Sequence, residues 1–169
     1  MERRTNPNKA KFRHQAAAGR YALLAVAGMT LVNLLLLLFR AEYRFLLSAA
    51  LPYYVNWLCV KLEAHWIFCA LAVLLAVALE GFYCICWFLS QRRIFLQAAL
   101  GAYALDTVLL VIFAFTLLDN PASCVLEILT HGAVIYLLVT ADGATAAMER
   151  LRRRSRTAEP VEQKERMRV

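Results

Sequence analysis

Four long apolar runs restrict this chain more than any other feature: Tyr21 to Phe39, Trp66 to Leu89, Phe95 to Leu118, and Ala122 to about Ala141. A hydrocarbon layer about 30 Å thick takes about 20 helical residues to cross, so each run has the length of one crossing. In lipid a backbone must satisfy its hydrogen bonds within its own segment or in a closed barrel, and the two-residue alternation of barrel strands is absent here. The expected fold is an all-α polytopic membrane helix bundle with four transmembrane helices. Composition agrees, at 62% hydrophobic residues and a mean hydropathy of +0.56. Disorder, collagen, coiled coil and a disulfide-stapled secreted module each need a composition this chain lacks. The first run is also too long for the apolar part of a secretory signal, and no A-x-A cleavage site follows it.

The net charge of +7 sits mainly near the ends. Sixteen of the nineteen Lys and Arg fall in the segment 1–20, at Arg92 and Arg93, and in the tail from Gly143; the other three are Arg40, Arg44 and Lys61. Lys and Arg concentrate on the cytoplasmic side of membrane proteins, which places both termini in the cytoplasm, as an even number of spans requires. The chain divides into a basic N-terminal segment (1–20), a membrane bundle (21–141) and a basic tail (142–169).

Residues 45–60 form a fifth apolar run, shorter than a crossing and interrupted by Pro52. If it crossed, the basic N-terminal segment would fall on the opposite side from Arg92-Arg93 and the tail. It is expected to be re-entrant or interfacial, or a collapsed loop packed on the bundle. Tyr53, Tyr54, Trp57 and Trp66 suit an aromatic belt at the outer interface. In the tail, Arg150, Arg152, Arg153, Arg154 and Arg156 extend the last helix as a basic cluster. Beside a membrane such a cluster attracts anionic lipid head groups by about 1 kcal/mol per charge. Nucleic-acid binding is not expected, because interleaved aromatics and a reading module are missing. Beyond Glu159-Pro160 the mixed charges suggest disorder.

Ionisable side chains in hydrocarbon cost about 2.5 to 3.5 kcal/mol each on insertion scales, so each calls for a partner. Four lie within the spans: Glu80, Asp106, Glu127 and His131. At about 1.5 Å per residue, Asn33, Glu80, Asp106 and His131 all fall about 13 to 18 Å from a membrane face, which makes one midplane cluster. Ala72, Ala76 and Glu80 recur every four residues, as do Ala98, Ala102 and Asp106, so each acid is expected on a small-residue stripe facing the bundle interior, within reach of Asn33 or His131. Glu127 and His131 share one helix face.

Three readings compete for the cluster: a buried network that fixes helix register, a proton or cation path, and a metal site or membrane-embedded hydrolase. The last lacks H-E-x-x-H or E-x-x-H spacing. Under the first reading, Asp106→Asn should be tolerated. No phosphate-binding, dinucleotide-binding or nucleophile-elbow motif occurs, and Ser48, Ser90 and Ser123 have no base beside them. Cys59, Cys69, Cys84, Cys86 and Cys124 lack metal-ligand spacing and read as small packing residues, with Cys59 and Cys124 falling toward the outer side where a disulfide can form. No metal or cofactor is expected.

Gly19-Arg-Tyr-Ala-Leu-Leu, then Thr30-Leu-Val-Asn33, then Tyr43-Arg-Phe-Leu-Leu-Ser-Ala-Ala-Leu-Pro-Tyr-Tyr54 resembles the opening of small uncharacterised bacterial integral membrane proteins, over about the first third of the chain. The resemblance implies a bacterial inner-membrane location and four spans, and no activity. The expected role is non-enzymatic: binding, assembly or structure, acting with a second copy or a membrane-protein partner. The alternatives are a proton- or cation-coupled transporter or channel working as an oligomer and, after that, a membrane-embedded metal-dependent enzyme.

Overall fold

A computed structural model describes residues 7–39, 47–117 and 121–166. Among them are five helices: α1 (Pro7–Leu38), α2 (Ala50–Lys61), α3 (Trp66–Phe88), α4 (Arg93–Leu117) and α5 (Pro121–Arg166). Four of these, all but α2, are long and apolar enough to cross a membrane. The expectations for Arg40, Arg44 and the Cys124 side chain lie outside the described residues.

The surface is apolar and the interior carries the polar groups. Leu38, Phe88 and Phe115 are each at least 74% exposed, and leucines and valines cover much of the remaining circumference. Thr30, Asn33, Asp106, Glu127 and His131 are buried. Such a continuous apolar exterior has no stable place in water, whereas in lipid it costs nothing. The chain is a multi-pass membrane protein.

α1 begins on Pro7, whose missing N–H is no loss at a first helical position. It packs most extensively on α5, and the two run antiparallel with Gly19 against Ala141. A Cβ on Gly19 would collide with the Ala141 Cβ, so only glycine permits this approach. One core cluster joins Leu23 and Val26 of α1, Tyr83 of α3, Ala99 and Tyr103 of α4, and Leu138 of α5. Arg93 grips Asp142 with two hydrogen bonds of 2.8 Å and so ties the start of α4 to α5.

α2 is twelve residues long, about 18 Å, and does not cross. Its first turn lies deep in the bundle, beside Thr30 of α1 and Asp106 of α4, while Lys61 ends it near the start of α3. α2 therefore starts inside the bundle and ends beside the start of α3 without crossing. Pro52 is harmless because it falls in the first turn, where a helical N–H has no acceptor of its own.

Two further expectations are corrected. On α4 the buried line is Leu96, Ala99, Tyr103, Asp106 and Leu110, while Ala98 is exposed, because the burial follows a mixed three- and four-residue step rather than four throughout. The tail does not lose its helix at Glu159-Pro160, since α5 continues to Arg166. Glu, Gln, Lys and Arg around Pro160 are strong helix formers, and Glu162 and Arg166 stand four apart.

Candidate functional site

The first N–H groups of any helix lack intrahelical acceptors. For α2 this deficit falls inside the bundle, where water is not at hand. Ala49, the residue before the helix, has extended backbone and supplies no side-chain cap. Other helices fill the gap. The Ala49 N–H donates to Thr30 Oγ1 at 2.8 Å, the Ala50 N–H to Asp106 Oδ2 at 2.8 Å, and the Leu51 N–H to Asp106 Oδ1 at 2.7 Å. Asp106 thus serves as a carboxylate cap supplied in trans, facing the positive end of the α2 dipole. Thr30 can accept because its own proton goes back to the Val26 carbonyl at 2.7 Å. Alongside, Asn33 Nδ2 donates to Ser48 Oγ at 2.8 Å.

His131 lies next to this cap, with Nδ1 3.9 Å from Asp106 Oδ2 and 3.0 Å from Thr107 Oγ1. The Thr107 hydroxyl donates its single proton to the Tyr103 carbonyl at 2.8 Å. Its oxygen is therefore an acceptor toward His131, which places a proton on Nδ1. The imidazole also stacks on the Tyr103 ring at 4.8 Å between centroids. One turn away, Glu127 Oε2 accepts from the Tyr54 hydroxyl at 3.2 Å, joining α5 to α2.

The structure thus brings Asp106 and His131 together, places Asn33 on Ser48 just before α2, and joins Glu127 to Tyr54 of α2. Glu80 stands apart. It is half-buried, and its Oε2 has no hydrogen-bond partner among the described residues, neither Asn33 nor His131. The Tyr103 hydroxyl is a second buried polar atom with none. Ala72 and Ala76 are buried as expected, but the stripe leads Glu80 to the edge of the cluster.

Sequence reasoning missed Thr30, Ser48, Tyr54 and Thr107. Tyr54 was expected in the interfacial belt and is instead buried, stacked on Phe113 with its hydroxyl on Glu127. Trp66, at 71% exposure, remains free to lie at an interface. Of these hydroxyls, Thr30 alone had a signal available: a short helix starting inside the bundle must find acceptors for its first N–H groups. Of the tail arginines, Arg150, Arg152 and Arg153 are exposed, while Arg154 and Arg156 lie outside the described side chains.

Chemically, the arrangement holds one short helix from three sides, and beside it stands one acid–imidazole pair. Among the described residues no three His, Cys, Asp or Glu side chains come together as a metal-binding group. No protein-family model matches the chain, and neither the curated proteins nor the solved structures include one similar to it.

Proposed function

We propose that this protein is a non-enzymatic binding or assembly component of a bacterial inner membrane, with both termini cytoplasmic, and that its midplane polar cluster holds the re-entrant helix α2 as the element a partner meets. One observation carries this reading: both oxygens of Asp106 are engaged by backbone N–H groups of α2. A carboxylate committed in this way positions a helix rather than waiting for a substrate. The exposed Arg150, Arg152 and Arg153, continued in sequence by Arg154 and Arg156, suit contact with anionic head groups, and the partner is a second copy or another membrane protein.

A proton- or cation-coupled role in an oligomer is the second reading, favoured by the 3.9 Å approach of Asp106 to His131. Reconstitution into vesicles loaded with a pH-sensitive dye separates the two. His131→Asn keeps a donor for Thr107 near the Nδ1 position but cannot titrate. The assembly reading expects no proton flux from either protein, and purification in native lipid should recover a stoichiometric membrane-protein partner or a second copy. Flux through the wild type that disappears in His131→Asn would overturn it.

A further inference from the structure

The α2–α3 hairpin carries two cysteines that the polar network does not use. Cys59 stands in the last turn of α2, and Cys69 in the first turn of α3. Between them the chain reverses through Glu63, whose φ of 47° is left-handed. The reversal is tied closely. The Ala64 N–H donates to the Cys59 carbonyl at 3.0 Å, and the Cys69 thiol points to the Ala64 carbonyl at 3.5 Å. The Cys59 thiol lies 3.9 Å from the carbonyl of Phe68, the residue directly before Cys69. Both residues are half-buried free thiols, and both line one cavity of about 410 Å³ with Asn56 and leucines of α1. Burial first, and then the Cys69 thiol beside it, push the Cys59 thiol above the usual thiol range.

We propose that Cys59 and Cys69 form a disulfide in the cell, delivered by a protein disulfide donor at the non-cytoplasmic face. The proposal rests on the orientation given above, because disulfides persist in oxidising compartments. One cysteine thiolate attacks the donor disulfide, forming a mixed disulfide and releasing one donor thiolate. The other cysteine thiolate then displaces the second donor sulfur and closes the Cys59–Cys69 bond. The pair loses two protons and two electrons, and the donor disulfide becomes a dithiol. The bond pins the Lys61 end of α2 to α3, as Asp106 holds the opposite end, and it fixes one wall of the cavity.

Sequential labelling of the full chain tests this. Intact cells are treated with a membrane-permeant maleimide, the protein is then reduced, and a second maleimide of different mass is added before peptide mapping. Cys59 and Cys69 should take only the second label in the wild type, and Cys59→Ser or Cys69→Ser should shift the remaining cysteine to the first. First label on both in the wild type, or a disulfide from Cys59 to any other cysteine, overturns the proposal. Purified protein oxidised with diamide shows which premise failed in that event. A Cys59–Cys69 bond formed there but not in cells means the orientation is wrong, whereas a bond formed in neither means the two sulfurs do not meet.

Discussion

Toward the Arg92 end, α1 and α5 meet through small side chains, with Gly19 against Ala141; in the half that contains α2, the inner end of that helix is held by hydrogen bonds that it and Ala49 donate to α1, α4 and α5. The difference follows from where each helix begins. A helix that runs the full depth satisfies its backbone within the span, so its neighbours need only approach closely enough for dispersion contacts. A helix that begins inside the bundle brings orphan N–H groups with it, and neighbours must supply acceptors at fixed positions. Close packing tolerates small adjustments along an interface. A directional cap does not, and so the half that contains α2 has a specified register.

Removing the cap should break that half most severely. Asp106→Leu leaves the Ala50 and Leu51 N–H groups without acceptors, at about 1 to 3 kcal/mol for each buried donor. The expected loss is about 2 to 6 kcal/mol in detergent unfolding, with faster amide exchange at Ala50 and Leu51 and little change along α1 and α5. A uniform gain in exchange over the whole bundle would erase the contrast between the two halves.

Gly19→Leu attacks the other half. Overpacking where even a Cβ collides should cost about 1 to 3 kcal/mol, and exchange should rise in α1 and α5 while the α2 cap stays protected. Unchanged thermal stability would show that the close approach is not needed.

Asp106→Asn sharpens the comparison, because the amide keeps one acceptor oxygen and turns an NH2 donor toward the second N–H. A loss of about 1 to 3 kcal/mol is expected, and not the tolerance that sequence reasoning assigned to a scaffold role. Equal stability of Asp106→Asn and wild type would mean that only one oxygen matters.

Tyr54→Phe removes one hydrogen bond and preserves the ring stacked on Phe113, for about 1 kcal/mol. The smallest effect should come from Asp142→Asn. Arg93 is exposed at the end of the bundle, where solvent screens the ion pair, so the loss should be smaller than that of Tyr54→Phe and should shrink further at high salt. A salt-independent loss larger than that of Tyr54→Phe would move the pair into the set of interactions that determine the fold.

Much of the architecture was legible because it is local. Run lengths and hydropathy place α3 and α4 within a few residues of their observed bounds, since a spanning helix closes its hydrogen bonds internally. The length of the fifth run marked the segment too short to cross, and the inward position of Asp106 followed from the cost of an acid in lipid. Tyr54 shows the limit of such reasoning. An aromatic beside Pro52 suits a membrane interface by composition, but the direction of its side chain depends on how α2 enters the bundle.

The sequence by itself determined the number of helices long and apolar enough to cross, the shortness of the fifth, and the presence of acids and an imidazole within the apolar runs. Only the tertiary structure decided what those groups touch. Asp106 and Glu80 have the same sequence-level description, an acid at the end of an alanine spacing inside a span. One caps α2, and the other stands half-buried at the edge without a hydrogen bond to Oε2. The physical reason is that the acceptor-seeking groups are backbone N–Hs, present in nearly every residue and therefore invisible in residue identity. They become a demand for a carboxylate only when a helix begins where water does not reach.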